Sequence, residues 1–412
     1  MNKRRWGIPG ALLLALAGGL PVQAQQSNAG NAFIKQGFDA AWARQPEQRG
    51  AALLRDAALA AEQAAQRWTP EPPALEMTAK SDRMTSNTGA REYEAKLAVP
   101  IWLPNERSTS LAAANADTGA VESRLFAAQW HLAAEVRDAY WAYQRARLDH
   151  SLAQQRLANS RQLAADVARR VNAGDLARSD SHQADAAVAA ADSAVAESSV
   201  ALTQASQRWT ALTGRAPATR EDLSPEPAPA ASATDASHPV LRDLTARADA
   251  ARRQLELAGI QTRANPELTL GVTRERSDIA ERYAQVLSVA VRVPLGKHSR
   301  SDSKIATAGA EQVEAETQLL MEQERIGTEV HAARERVTAL AAVVAAAERR
   351  SRLAAESRGF FEKSFRLGET DLPTRLRIEQ EAADAERQAT RSRIEHAAAV
   401  SQLRQSLGLL PE

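Results

Sequence analysis

Seven histidines, His131, His150, His182, His238, His298, His331 and His396, are the side chains best suited to binding a metal or moving a proton near neutral pH. None stands four residues from another and no H-E-x-x-H occurs, so their spacing assigns them to no metal site. "LGKHSRS" has a Gly-Lys but lacks the upstream glycine of a phosphate-cradling loop, and no G-x-S-x-G presents a nucleophilic serine. Cysteine is absent, which excludes disulfides, thiolate ligands and lipidation on an N-terminal cysteine. Phe126, Trp130, Tyr140, Trp141 and Tyr143 recur at helical spacing and read as core or subunit packing rather than a ligand box. The expectation is therefore no enzyme, no cofactor and no metal site. What remains is the electrostatics of two glycine turns. Arg178 and Asp180 follow Gly174, and Arg366, Glu369 and Asp371 surround Gly368. Charges of opposite sign at this spacing could form a salt-bridge lock, or serve as helix caps and solvated charge.

Each cluster sits where one long helical span turns back into another. Spans of about 105–171 and 300–367 contain no proline, and at 1.5 Å per residue each reaches ~100 Å. Ile326, Val330, Ala333, Val337, Leu340, Val344 and Ala347 step by fours and threes, a heptad seam. Val121, Leu125, Ala128, Leu132, Val136, Tyr140 and Tyr143 fit a longer repeat that leaves a helix nearly straight. Gly174 and Gly368 suit the left-handed position that ends a helix, and partner helices of about 175–213 and 371–407 follow.

Two stretches break the helical pattern. In "LSVAVRVPLG" and "YEAKLAVPIWLP" apolar and polar residues alternate with period two, and each is preceded by another candidate strand, "ELTLGVT" or "ALEMTAK". These make β-hairpins at about 73–102 and 266–295. The alternation assigns Tyr93, Leu97, Leu287, Val289, Val291 and Val293 to a lipid face, and Glu94, Lys96 and Arg292 to a lumen. Four strands cannot close a membrane barrel, so several chains must pool them; elementary barrel geometry permits a dimer, trimer or tetramer.

An internal duplication organises the whole chain. Pro46, Pro73, Pro100, Gly174 and Gly214 match Pro239, Pro266, Pro294, Gly368 and Gly408 at offsets of 193 or 194 residues. This gives a first repeat, 25–214, and a second, 238–412, joined by a Pro/Ala/Ser-rich linker at 215–237. Lys3, Arg4 and Arg5, an apolar run to Leu20 and Val22-Gln23-Ala24 form an export signal, 1–24. With 52 basic and 51 acidic residues the chain is nearly neutral and carries no field that points to nucleic acid.

This order resembles the TolC-like outer-membrane factors, the exit ducts of Gram-negative efflux and type I secretion systems. The resemblance rests on the duplicated "P-x-L" strand openings, the "VP" and "V-x-V-P-L" strand ends, the Gly turns and the "ALTG" and "SLG" helix ends. It implies a mainly α fold with a small β part: two tandem repeats of helix, β-hairpin and long helical hairpin, assembled as a homotrimer with a 12-stranded outer-membrane barrel and a periplasmic helical barrel. It also implies a periplasmic adaptor (a membrane fusion protein) and an inner-membrane pump as partners. "VPIWLPNERS" is similar to the heavy-metal (cobalt, zinc, cadmium) RND branch. In the family a carboxylate six residues after the turn glycine helps close the tip; Asp180 fits that position, whereas Thr374 stands there in the second repeat. The family's usual tyrosine three residues before the glycine is replaced by Val171 and Phe365. The alternatives are a type I secretion duct and a soluble periplasmic coiled-coil scaffold.

Overall fold

The computed structural model describes residues 29–217, 226–230, 237–296 and 300–412. The export signal, 1–24, and parts of the linker lie outside them. In the first repeat, α1 (Ala29–Trp42) and α2 (Pro46–Ala65) precede β1 (Ala74–Ser81) and β2 (Arg91–Pro100), followed by α3 (Glu106–Ala173) and α4 (Arg178–Thr213). In the second, α5 (Pro239–Ile260) precedes β3 (Glu267–Arg276) and β4 (Ala284–Arg292), then α6 (Ser301–Arg366) and α7 (Leu372–Ser406).

The duplicated positions do equivalent work. Pro46 and Pro239 each start a helix, where the missing N–H costs nothing. Gly174, Gly214, Gly368 and Gly408 all have positive φ, between 73° and 88°. The repeats are nevertheless unequal, because α1 adds a helix before the first hairpin. Ile34 and Phe38 of α1 join Leu132, Val136, Tyr140 and Trp141 of α3, Trp209 of α4 and Ile394 of α7 in the main core. The aromatic residues of α3 are thus packing groups: the Trp141 indole donates to Ser401 Oγ at 2.9 Å, and the Trp130 indole donates to the Gln405 carbonyl at 2.8 Å. On α6, Ile326, Val330 and Ala347 are buried and Ala333, Val337, Leu340 and Val344 half-buried, so the heptad seam is the face turned inward.

The linker contains more than solvated chain. Glu226 is 1% exposed and receives the Arg137 guanidinium through two bonds, at 2.9 and 2.8 Å, with Arg404 Nε 3.5 Å away. Composition hid this residue among prolines and alanines; the carboxylate is buried because two buried arginines compensate its charge.

Candidate functional site

The four strands form one antiparallel sheet in the order β1-β2-β3-β4. Its register aligns Leu75, Leu97, Leu270 and Val289 in one cross-strand row, and Met77, Ala95, Val272 and Leu287 in the next. Directly opposed residues share a face, so Tyr93, Leu97, Leu287, Val289 and Val291 lie together on an apolar face. Glu94, Lys96 and Arg292 lie on the other, with Glu76, Thr78, Thr269 and Ser288. Val293 is an exception in placement: β4 ends at Arg292, and Val293 continues the chain past it. Pro294 explains the end, since it has no N–H to give the ladder. The apolar face is uncovered, with Val289 and Leu287 65% and 75% exposed, and β1 and β4 each keep one open edge. On the polar face Lys96 pairs with Glu94 at 2.8 Å and Lys80 with Glu92 at 2.9 Å.

One end of the sheet is knotted by a residue that pattern reading passed over. Asp82 accepts from the Thr88 amide (2.6 Å) and hydroxyl (2.7 Å), the Ser86 hydroxyl (3.0 Å) and the Gly89 amide (3.2 Å). The Thr88 bond, with the others, holds its carboxyl down at about 2. The loop is tied to the second hairpin: Ile279 N–H donates to the Thr88 carbonyl, and Arg276 Nε to the Gly89 carbonyl. Gly89, at φ +96°, admits this approach, because a Cβ there would stand 2.8 Å from Ile279. The "D-x-x-x-S-x-T-G" run was a detectable Asx-type signal.

The opposite end joins the helices. Glu106, 2% exposed, accepts from the Leu103 amide, from Gln261 and from Asn265, and so clamps the start of α3 to the segment entering β3.

At the far ends of the helices, Gly174 N–H donates to Val171 O and Asp175 N–H to Arg170 O. Gly368 and Glu369 repeat this with Phe365 and Ser364. Both turns are therefore Schellman motifs. Val167, Ala184, Phe365 and Leu372 form a small core beneath them. Arg170 binds the two turns together, donating to the Phe365 carbonyl at 3.0 Å and lying over its ring at 4.8 Å.

The carboxylates singled out in the sequence act as caps. Asp180 accepts from the Ala177 amide at 3.1 Å, and Asp371 from the Thr374 amide at 3.2 Å. The bond from Thr374 lowers the Asp371 pKa. Arg366 lies 3.4 Å from Glu362, one turn back on its own helix, and Arg178 is exposed. Glu369 lies 3.5 Å from the Ser364 hydroxyl. Within the protomer, the structure brings neither Arg178 nor Arg366 to Asp180 or Asp371.

Comparisons with known proteins agree with this architecture. Residues 38–215 match the family described as "Outer membrane efflux protein". Comparison with curated protein sequences found no match. Among solved structures, the outer membrane protein VceC from Vibrio cholerae superposes with a TM-score of 0.75 at 17% identity, over 92% of this chain and 97% of that one. CusC gives 0.74 at 18% identity over 92% of each chain. The CmeC outer membrane channel of Campylobacter jejuni gives 0.73 at 13%, over 98% of this chain and 94% of that one. What these comparisons establish is the fold: mainly helical, with a four-stranded antiparallel sheet carried by two helix–hairpin repeats, as in those channel structures. This chain has that TolC-like fold, and its first repeat bears the outer membrane efflux protein signature.

Proposed function

We propose that the protein is the outer-membrane exit duct of a tripartite efflux system, a homotrimer that receives cargo from a periplasmic adaptor and an inner-membrane pump. The observation that carries this reading is the sheet, which is apolar on one face, polar on the other and open at both edges. In water an uncovered apolar face with open edges is an aggregation hazard. In a bilayer, three copies joined edge to edge satisfy every strand and turn the charged face onto a lumen. The turns at Gly174 and Gly368 then form the periplasmic tip, where three copies of Arg178, Asp180, Arg366, Glu369 and Asp371 meet around the axis and hold it closed through contacts between chains. The finer reading of the cargo, heavy-metal cations supplied by an RND pump, is supported by "VPIWLPNERS". Selectivity then lies with the pump, because a duct need not bind what it passes.

The test is assembly. Cross-linking of detergent-solubilised mature protein should give a ladder ending at three, and a stable monomer with full β content overturns the reading. Val291→Arg should impair membrane assembly, at a cost of roughly 2–4 kcal/mol, while Arg292→Gln should be tolerated. Equal assembly of the two variants would reverse the assignment of inside and outside.

A further inference from the structure

The apolar face of the sheet is not apolar to its end. In the two rows nearest the hairpin loops the register sets Ser81, Arg91 and Arg276 side by side, then Ala79, Tyr93, Arg274 and Gln285. Side chains alternate between faces, so these three arginines share the face of Leu97 and Val289, opposite to that of Glu92 and Glu275. Arg91 and Arg276 are directly opposed, a like-charge pairing that destabilises a sheet unless something compensates it. Among the described residues no carboxylate pairs with Arg91, Arg274 or Arg276; the ion pairs of the sheet, Lys80–Glu92 and Lys96–Glu94, lie on the other face. The nearby acids are engaged within the loops: Asp82 with Ser86, Thr88 and Gly89, Asp278 with the Ala280 amide and Glu281 with the Ser277 amide. The guanidinium groups of β3 are nevertheless held in place. Arg274 and Arg276 lie over the Tyr283 ring at 4.5 and 4.9 Å, and Arg276 Nε donates to the Gly89 carbonyl.

Strands β2 and β3 are the inner strands of the protomer's sheet, whose open edges belong to β1 and β4. Neighbouring copies join at those edges, so the apolar face of β2 and β3 is turned to lipid and not to another chain. The helices attach at the opposite ends of the strands, which puts the loop end in the outer leaflet. An arginine on a barrel's outer face costs least at that level, and its planar fork matches a phosphate with two parallel N–H donors. Arg274 and Arg276 are spaced about 7 Å apart along β3, with Arg91 across from one of them. Three cations without a counter-charge suit a headgroup bearing more than one phosphate, while the exposed Val272 and Leu287 in the next row suit acyl chains. We propose that Arg91, Arg274 and Arg276 form a binding site for a glycolipid carrying two phosphates, the lipid A class, in the outer leaflet. Its phosphates supply the negative charge that the opposed arginines lack. The inference rests on the reading of the sheet as a wall in the bilayer, and the experiment separates the two.

The full mature protein in dodecyl maltoside is titrated with bisphosphorylated lipid A, with fully dephosphorylated lipid A and with phosphatidylglycerol, and the bound lipids are counted by native mass spectrometry. The site predicts one bisphosphorylated lipid per chain, held at least about tenfold more tightly than either of the others. Arg91→Gln combined with Arg274→Gln should abolish that preference, whereas Arg292→Gln, on the polar face, should keep it. Arg276 is left intact in the double variant because it also holds the Gly89 carbonyl. Equal affinity of the parent for the three lipids overturns the proposal without recourse to any variant, and so does an unchanged preference in a correctly assembled double variant. Displacement of the lipid by an equal concentration of inorganic pyrophosphate would make the site one for a free anion and likewise overturn it. The barrel reading is judged separately, by quenching of Val291→Trp with lipids brominated near the bilayer centre. If that tryptophan is quenched and the lipid A preference is missing, the site is wrong and the barrel stands. If it is not quenched, the barrel reading falls and the outer-leaflet site with it.

Discussion

The two longest helices come from one duplicated pattern but do different jobs. Helix α3, 68 residues, packs against α1, α2, α4, α5 and α7 and buries most of the residues from Leu132 to Gln144, while α6, 66 residues, packs mainly against α5 and α7. Beyond its seam α6 leaves Val313, Leu320, Met321, Leu353 and Phe360 exposed. A helix that is finished within the protomer carries its fold. One that shows a second apolar stripe to solvent has a partner still to meet, and in the proposed trimer that partner is the neighbouring chain. Duplication therefore supplied two equivalent helices, and the unequal surroundings, α1 and the Glu226 segment on the α3 side, turned one into a core and left the other with an open apolar face.

The comparison breaks most sharply at Glu226. Glu226→Ala should destabilise the protomer by about 3–5 kcal/mol, because Arg137 and Arg404 would remain buried without their carboxylate. Denaturation monitored in detergent reads the loss, and an unchanged midpoint would mean that the segment is not part of the α3 wall. Leu132→Ala, inside the α3 core, should cost roughly 2–5 kcal/mol. Its counterpart test, Leu320→Ser with Phe360→Ser on α6, should leave protomer stability within about 0.5 kcal/mol while reducing the cross-linked trimer. If the α6 pair unfolds the protomer as Leu132→Ala does, the division of labour between the helices is false.

Smaller effects sharpen the contrast between the tip and the sheet. Exchanging Asp180 and Asp371 for Asn should raise basal conductance in planar bilayers if contacts between chains close the tip. Unchanged conductance at several salt concentrations, with normal assembly, leaves both carboxylates as caps alone. At the other end, Asp82 has its carboxyl depressed from 3.8 to about 2. Because the folded value is the lower one, its contribution is complete above the unfolded value and is lost as pH falls through about 2. Protection of the Thr88 and Gly89 amides, taken relative to the intrinsic exchange rate at each pH, should fall across that window in the parent, and should already be low at neutral pH in Asp82→Ala.

Much of this molecule is written in local chemistry. Period-two alternation at Leu287–Val291 identifies a strand before any partner is known, the seam from Ile326 to Ala347 identifies the inward face of α6, and Gly174 and Gly368 mark the turns because left-handed backbone favours glycine. These features depend only on residues close in sequence. The roles of particular charges do not. Asp180 and Arg178 are two residues apart, yet only the fold decides that Asp180 turns back to cap its own helix. Glu226 lies in a stretch whose composition suggests solvent, and it is buried because Arg137, 89 residues earlier, and Arg404, at the end of α7, converge on it. Tertiary structure alone settles such assignments, because the energy of a buried charge is set by the groups that replace its water, and those arrive from distant parts of the chain.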